Sequence, residues 1–123
     1  MKTLSAIVLL AAAALASAQG PYSGGGVDKA TWAKLTTVQK KADAAYAKNP
    51  KNPAVKKAYV DANNRHGLAA MRTEVLDRKV KYKVALTDFR KVSKADPKNA
   101  IARENHDLIV SIYKSMKRPV PGA

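Results

Sequence analysis

His66 and His106 are the only imidazoles among 123 residues, and the chain has no cysteine. A transition-metal centre takes about three or four nitrogen, sulfur or carboxylate ligands. Neither histidine is accompanied by such a set, and both fall on or beside apolar helix faces. They are expected to pack, with no metal and no cofactor. Ser111 and Ser115 carry hydroxyls, but neither sits in a Gly-flanked nucleophile turn and no base is linked to them in sequence. The nine carboxylates form no recognisable acid-base pair. No catalytic residue is therefore expected. Gly24-Gly25-Gly26 follows no strand and lacks the Gly-Lys-Ser/Thr ending of a phosphate loop, so it reads as a linker.

The cations carry more information. Arg78, Lys79, Lys81, Lys83, Arg90, Lys91, Lys94 and Lys98 place eight positive charges within 21 residues, against Asp88 and Asp96. The whole chain has 23 basic and 9 acidic side chains, a formal charge of +14. That excess favours an acidic polymer, an anionic membrane surface or nucleic acid outside the cell as partner. The competing explanation is a solvated Lys-rich exterior that keeps a small protein soluble. Lysines outnumber arginines 17 to 6, which suits diffuse attraction better than bidentate reading of bases. With no recognition-helix signature, sequence-specific nucleic-acid binding is not expected.

The elements that must position these charges are punctuated clearly. Residues 1–18 combine one lysine, an apolar run and Ala16-Ser17-Ala18, the pattern of a secretory signal peptide cut after Ala18. The apolar run is shorter than the ~20 residues of a membrane span. The expected location is therefore secreted or periplasmic. Residues 19–27 read as a flexible Gly-rich leader. Asp28 can cap a helix over 29–48, on which Trp32, Leu35, Val38, Ala42, Ala45 and Tyr46 form one apolar stripe. Asn49-Pro50 ends it, and Asn52-Pro53 starts a second helix over 53–71, with Val55, Ala58, Tyr59, Ala62, His66 and Ala69 inward.

Gly67 weakens that helix near its end, and 73–79 has no clear period, so a loop or frayed extension is expected there. Tyr82, Ala85, Leu86, Phe89 and Val92 define a third helix over 81–94 that stops at Asp96-Pro97. A fourth follows Asn99, with Ala102, Leu108, Ile109, Ile112, Tyr113 and Met116 on its face. Residues 118–123 form a Pro-containing tail that reads as extended. Residues 28–117 thus make a single all-α domain, with no window that alternates as a strand would.

Asn49-Pro50-Lys51-Asn52 recurs as Asp96-Pro97-Lys98-Asn99, 47 positions later. The same shift pairs Leu35 with Tyr82, Val38 with Ala85, Ala42 with Phe89 and Ala45 with Val92. Tyr82, Ala85, Phe89, Val92 and Pro97 together resemble the second helix of a tetratricopeptide repeat. The resemblance implies a four-helix right-handed array of two such hairpins; a small four-helix bundle is the alternative. The family period is about 34, so a repeat at 47 implies an insertion at 73–79 with a lengthened second helix. Fewer than about three units are present, which favours closure on itself or a homo-oligomer.

The resemblance also implies a non-catalytic function, the binding of a protein or peptide. The first helix of each such unit lines a concave groove, which here assigns Lys56, Asn63 and Arg103 to a peptide site. Lys56 and Arg103 correspond under the shift, whereas Asn63 meets Val110.

Overall fold

The computed structural model describes residues 26–122. The signal-peptide reading of 1–18, the leader up to residue 25 and Ala123 lie outside the described residues. Four helices follow in order: α1 Lys29–Lys48, α2 Pro53–Arg72, α3 Arg78–Ala95 and α4 Ala100–Ser115. The described residues contain no strand, only an isolated parallel bridge between Val27 and Thr73. Each helix packs on the next, α2 meets α4 lightly, and α1 does not reach α4. This is an all-α sequential array, not a closed bundle.

The two proline turns have matching geometry. Asn49 and Asp96 cap the ends of α1 and α3 with φ of −142° and −141°. Their amides return to Ala45 O and Val92 O, at 3.0 and 2.7 Å. Asn52 then caps α2 by accepting from the amides of Ala54 and Val55, and Asn99 caps α4 by accepting from that of Ala102. A side-chain cap of this kind is worth about 1 kcal/mol, so the repeated tetrapeptide fixes both joints by the same means.

The segment between the hairpins is shorter than the sequence reading has it. Arg78 and Lys79 belong to α3, whose first residue follows Asp77 directly. The aperiodic stretch shrinks to five residues, 73–77, because both flanking helices run further than the periodicity predicts. Thr73 anchors the loop. It is fully buried, its amide donates to Ala69 O at 2.9 Å, and its hydroxyl accepts from Val75 N at 3.2 Å. Val27, read as the end of the leader, is buried with Leu35, Ala42, Ala62 and Ala69.

The largest core cluster brings Phe89, Leu86, Val92 and Ala85 of α3 against Val60 and Ala70 of α2 and Ala102, Ile109 and Tyr113 of α4. Gly67 is the notch into which Phe89 fits. A Cβ on residue 67 would lie 2.8 Å from Phe89 Cζ and 2.9 Å from Cε1. The glycine that weakens α2 by local propensity thus permits its closest approach to α3.

The tail is docked, not free. Lys117 adopts φ 54°, while its amide donates to Lys114 O and that of Arg118 to Tyr113 O, both at 3.0 Å. This is the reversal that usually places glycine at the left-handed position. It turns the chain back along α3, where Arg90 Nη1 donates to Pro121 O at 2.7 Å and Val120 packs on the main core.

Gly67→Ala tests the α2–α3 seam. Alanine raises helix propensity by about 1 kcal/mol, yet the clash with a fully buried ring should produce a net loss of about 1–3 kcal/mol. Urea unfolding should show that loss, with partial recovery on adding Phe89→Leu; a gain in stability would contradict the seam.

Candidate functional site

A chain of polar side chains crosses the interior between α1, α2 and α3. Asp88, 4 % exposed, accepts from Gln39 Nε2 at 2.7 Å through Oδ1, while Oδ2 lies 2.5 Å from His66 Nδ1. Gln39 Nε2 also donates to Asn63 Oδ1 at 2.8 Å. Asn63 Nδ2 in turn donates to Asp43 Oδ1 and Tyr59 O, both at 2.9 Å. Lys91 Nζ closes the chain on Asp43 Oδ2 at 2.7 Å and stands 5.7 Å from the centre of the Tyr59 ring. Tyr46 stacks on Tyr59 at 4.1 Å. Side chains of α1 and α3 therefore meet across α2, although the two helices do not pack backbone to backbone.

Local periodicity explains the alignment. Gln39 lies four residues after Leu35 and three before Ala42, Asn63 four after Tyr59, His66 three after Asn63, and Asp88 three after Ala85. Each polar residue falls within an apolar stripe, facing the interior. A buried polar atom without a partner costs about 1–3 kcal/mol, so the set must interlock.

On the far side of the imidazole, Nε2 lies 3.1 Å from Thr36 Oγ1, whose hydroxyl donates to Trp32 O at 2.9 Å. The Trp32 ring covers His66 at 4.3 Å. Thr36, His66 and Asp88 thus stand in the hydroxyl–imidazole–carboxylate order of a relay. However, the hydroxyl hydrogen is committed to a backbone carbonyl, and the second carboxylate oxygen to Gln39. His106 lies on α4, 3.2 Å from Asp107. Ser111 and Ser115 donate to Leu108 O and Ile112 O, one turn back on their own helix.

The peptide site assigned from sequence does not assemble as a trio. Lys56 and Arg103 are exposed. Asn63 has no exposed surface, and its amide bonds to Gln39, Asp43 and the Tyr59 carbonyl within the core network. Its position on the Tyr59–Ala62–His66 stripe, not between stripes, accounts for the difference.

The eight-cation cluster divides. Arg90 holds the tail and Lys91 holds Asp43, so both are committed inside the fold. Lys94 and Lys98 are exposed near the second turn, and Lys81 is half-buried. Arg78, Lys79 and Lys83 line a cavity of about 620 Å³ with Tyr82, Tyr113, Met116 and Arg118. Met116 and Arg118 come from the reversed end of α4, a contribution that the 78–98 charge run does not disclose.

None of the four cavity cations is paired with a carboxylate among the described residues. The first turn of α3 contains no acid, and Asp77 makes no side-chain capping bond. Cations at a helix N-terminus oppose its dipole, typically by about 0.3–1 kcal/mol each. Arg78 and Lys79 therefore concentrate positive potential in the cavity.

Comparison of the chain with protein-family models, curated proteins and solved structures yields no match. Among the described residues no helix is long and apolar enough to cross a membrane, and no group of three metal-ligating side chains forms.

Burial pushes the Tyr59 phenol above its ordinary 10.0, with the Asp43 carboxylate, Tyr46 and Asp88 adding to the effect. The unfolded chain then gives up this proton before the folded one does. The contribution is intact below the ordinary value and is lost as pH rises from there through the raised folded one. The urea midpoint should fall between about pH 9 and pH 11, and fall less in Tyr59→Phe; equal falls would contradict the assignment.

Proposed function

We propose that the protein is an exported, non-catalytic helical binding module of tetratricopeptide type, whose partner is an acidic protein or peptide. The observation that carries this reading is the set of cations along α3 and just beyond α4 that have no carboxylate partner among the described residues. Two matching turns join helices that pack in sequence, as stacked hairpins do. The interior polar chain spends His66, Asp88 and Thr36 on one another and on neighbouring groups, which supports a binding role over catalysis. Lys56 and Arg103 remain candidates at the groove edge; Asn63 does not.

An anionic membrane surface is the second reading. Val75 and Val80 are 47 % and 43 % exposed and flank Arg78 and Lys79 in sequence. Such an arrangement combines apolar contact with attraction to acidic headgroups.

Binding of a fluorescent polyglutamate peptide, measured at about 50 and 200 mM salt, tests the main reading, because displaced counterions and screening weaken a charge-driven complex. Affinity should drop severalfold with salt and again on replacing Lys79, Lys83, Lys94 and Lys98 by Gln. Further loss in Lys56→Ala/Arg103→Ala would extend the site to the groove. Salt-independent binding, or binding untouched by the lysine replacements, would contradict it. Preference for anionic over zwitterionic vesicles, without peptide binding, would favour the membrane reading.

A further inference from the structure

We propose that the cavity between the start of α3 and the end of α4 binds a small phosphate monoester carrying a flat apolar body. The inference deepens the anionic-partner reading and rests on it for the role of the α3 cations. The cavity, about 620 Å³, is of the size that encloses small organic ligands. Its lining separates into two chemistries. Arg78, Lys79, Lys83 and Arg118 supply cations, whereas Tyr82, Tyr113 and Met116 supply two aromatic rings and a thioether.

Four unpaired cations exceed what one carboxylate can use. A phosphate monoester offers close to two negative charges and three acceptor oxygens, and the planar arginine forks match that head bidentately. The first turn of α3 adds its own field. Its dipole favours an anion, Asp77 leaves its side chain out of the capping position, and the two cations that oppose the dipole are relieved when an anion arrives.

The apolar wall sets the other half of the ligand. Tyr113 is 8 % exposed and part of the main core, so it is a fixed surface, while Met116 is 48 % exposed and able to adapt. An aryl group can lie against tyrosine rings and methionine sulfur at little ordering cost.

The position of Arg118 depends on the backbone reversal at Lys117. The left-handed region is unfavourable for a non-glycine residue, and here it turns the chain so that Arg118 joins the cavity. The tail beyond it is held by Arg90 through Pro121 O.

Isothermal titration of the protein with phenyl phosphate, inorganic phosphate and benzyl alcohol separates the two halves of the site. Phenyl phosphate should bind with a Kd of about 1 mM or tighter, at least about fivefold below that of inorganic phosphate; benzyl alcohol should not saturate. Lys83→Gln and Arg118→Gln, both at exposed positions, should each weaken phenyl phosphate binding severalfold. Tyr82→Leu should abolish the preference for the aryl ester over inorganic phosphate. Lys94→Gln/Lys98→Gln should leave phenyl phosphate binding unchanged while weakening polyglutamate. Vesicles containing phosphatidic acid, offered with and without excess phenyl phosphate, identify the source: competition points to a lipid headgroup, and its absence to a soluble ester. No saturable phenyl phosphate binding, with polyglutamate binding intact, would overturn the cavity and spare the surface. Loss of both would overturn the two together.

Discussion

The carboxylate of Asp88 is the constraint around which this small array is organised. It is buried on α3, and it is held by His66 of α2 and Gln39 of α1. A buried charge left without partners would cost several kcal/mol, so three helices must be in register before the core can close. Hydrophobic contact alone does not provide that. The α2–α3 seam fixes one pair through Phe89 and Gly67, whereas α1 reaches α3 only through side chains: Gln39 to Asp88 and Asp43 to Lys91. An open array of four helices has no closing contact between its ends. The polar chain supplies a cross-tie in its first three helices.

Much of the architecture is legible in the sequence because it rests on strong local signals. The duplicated Asn/Asp-Pro-Lys-Asn turn ends and restarts helices by proline sterics and side-chain caps, and both observed joints use those groups. The first helix keeps its expected bounds for the same reason, capped by Asp28 through Thr31 N and closed at Asn49. The start of α3 is less legible: Asp77 makes no capping bond, and no apolar period marks the first turn.

The functional surface is harder to read, because charge runs are one-dimensional and surfaces are not. Arg90 and Lys91 belong to the basic run, yet one binds the tail and the other the half-buried carboxylate of Asp43. Conversely, Arg118 joins Arg78, Lys79 and Lys83 only through the turn at Lys117, a long-range juxtaposition that no local spacing signals. Asn63 shows the converse: the repeat resemblance places it in a peptide groove, whereas its spacing from Tyr59 and His66 puts it on the buried stripe. The useful signal for the core network is a polar residue in register with apolar ones, as Gln39, Asn63 and Asp88 all are.

Fold and surface are joined through α3, whose inner face carries Asp88 and Phe89 while its first turn and outer face carry the free cations. Loss of the cross-tie would therefore loosen the helix that carries these cations. A double-mutant cycle on Gln39→Ala and Asp88→Ala, read by urea unfolding, measures the tie most directly. The cross-tie should appear as a coupling energy of about 1–3 kcal/mol between these positions, which lie on helices that do not pack directly. Additive effects, within about 0.3–0.5 kcal/mol, would contradict it.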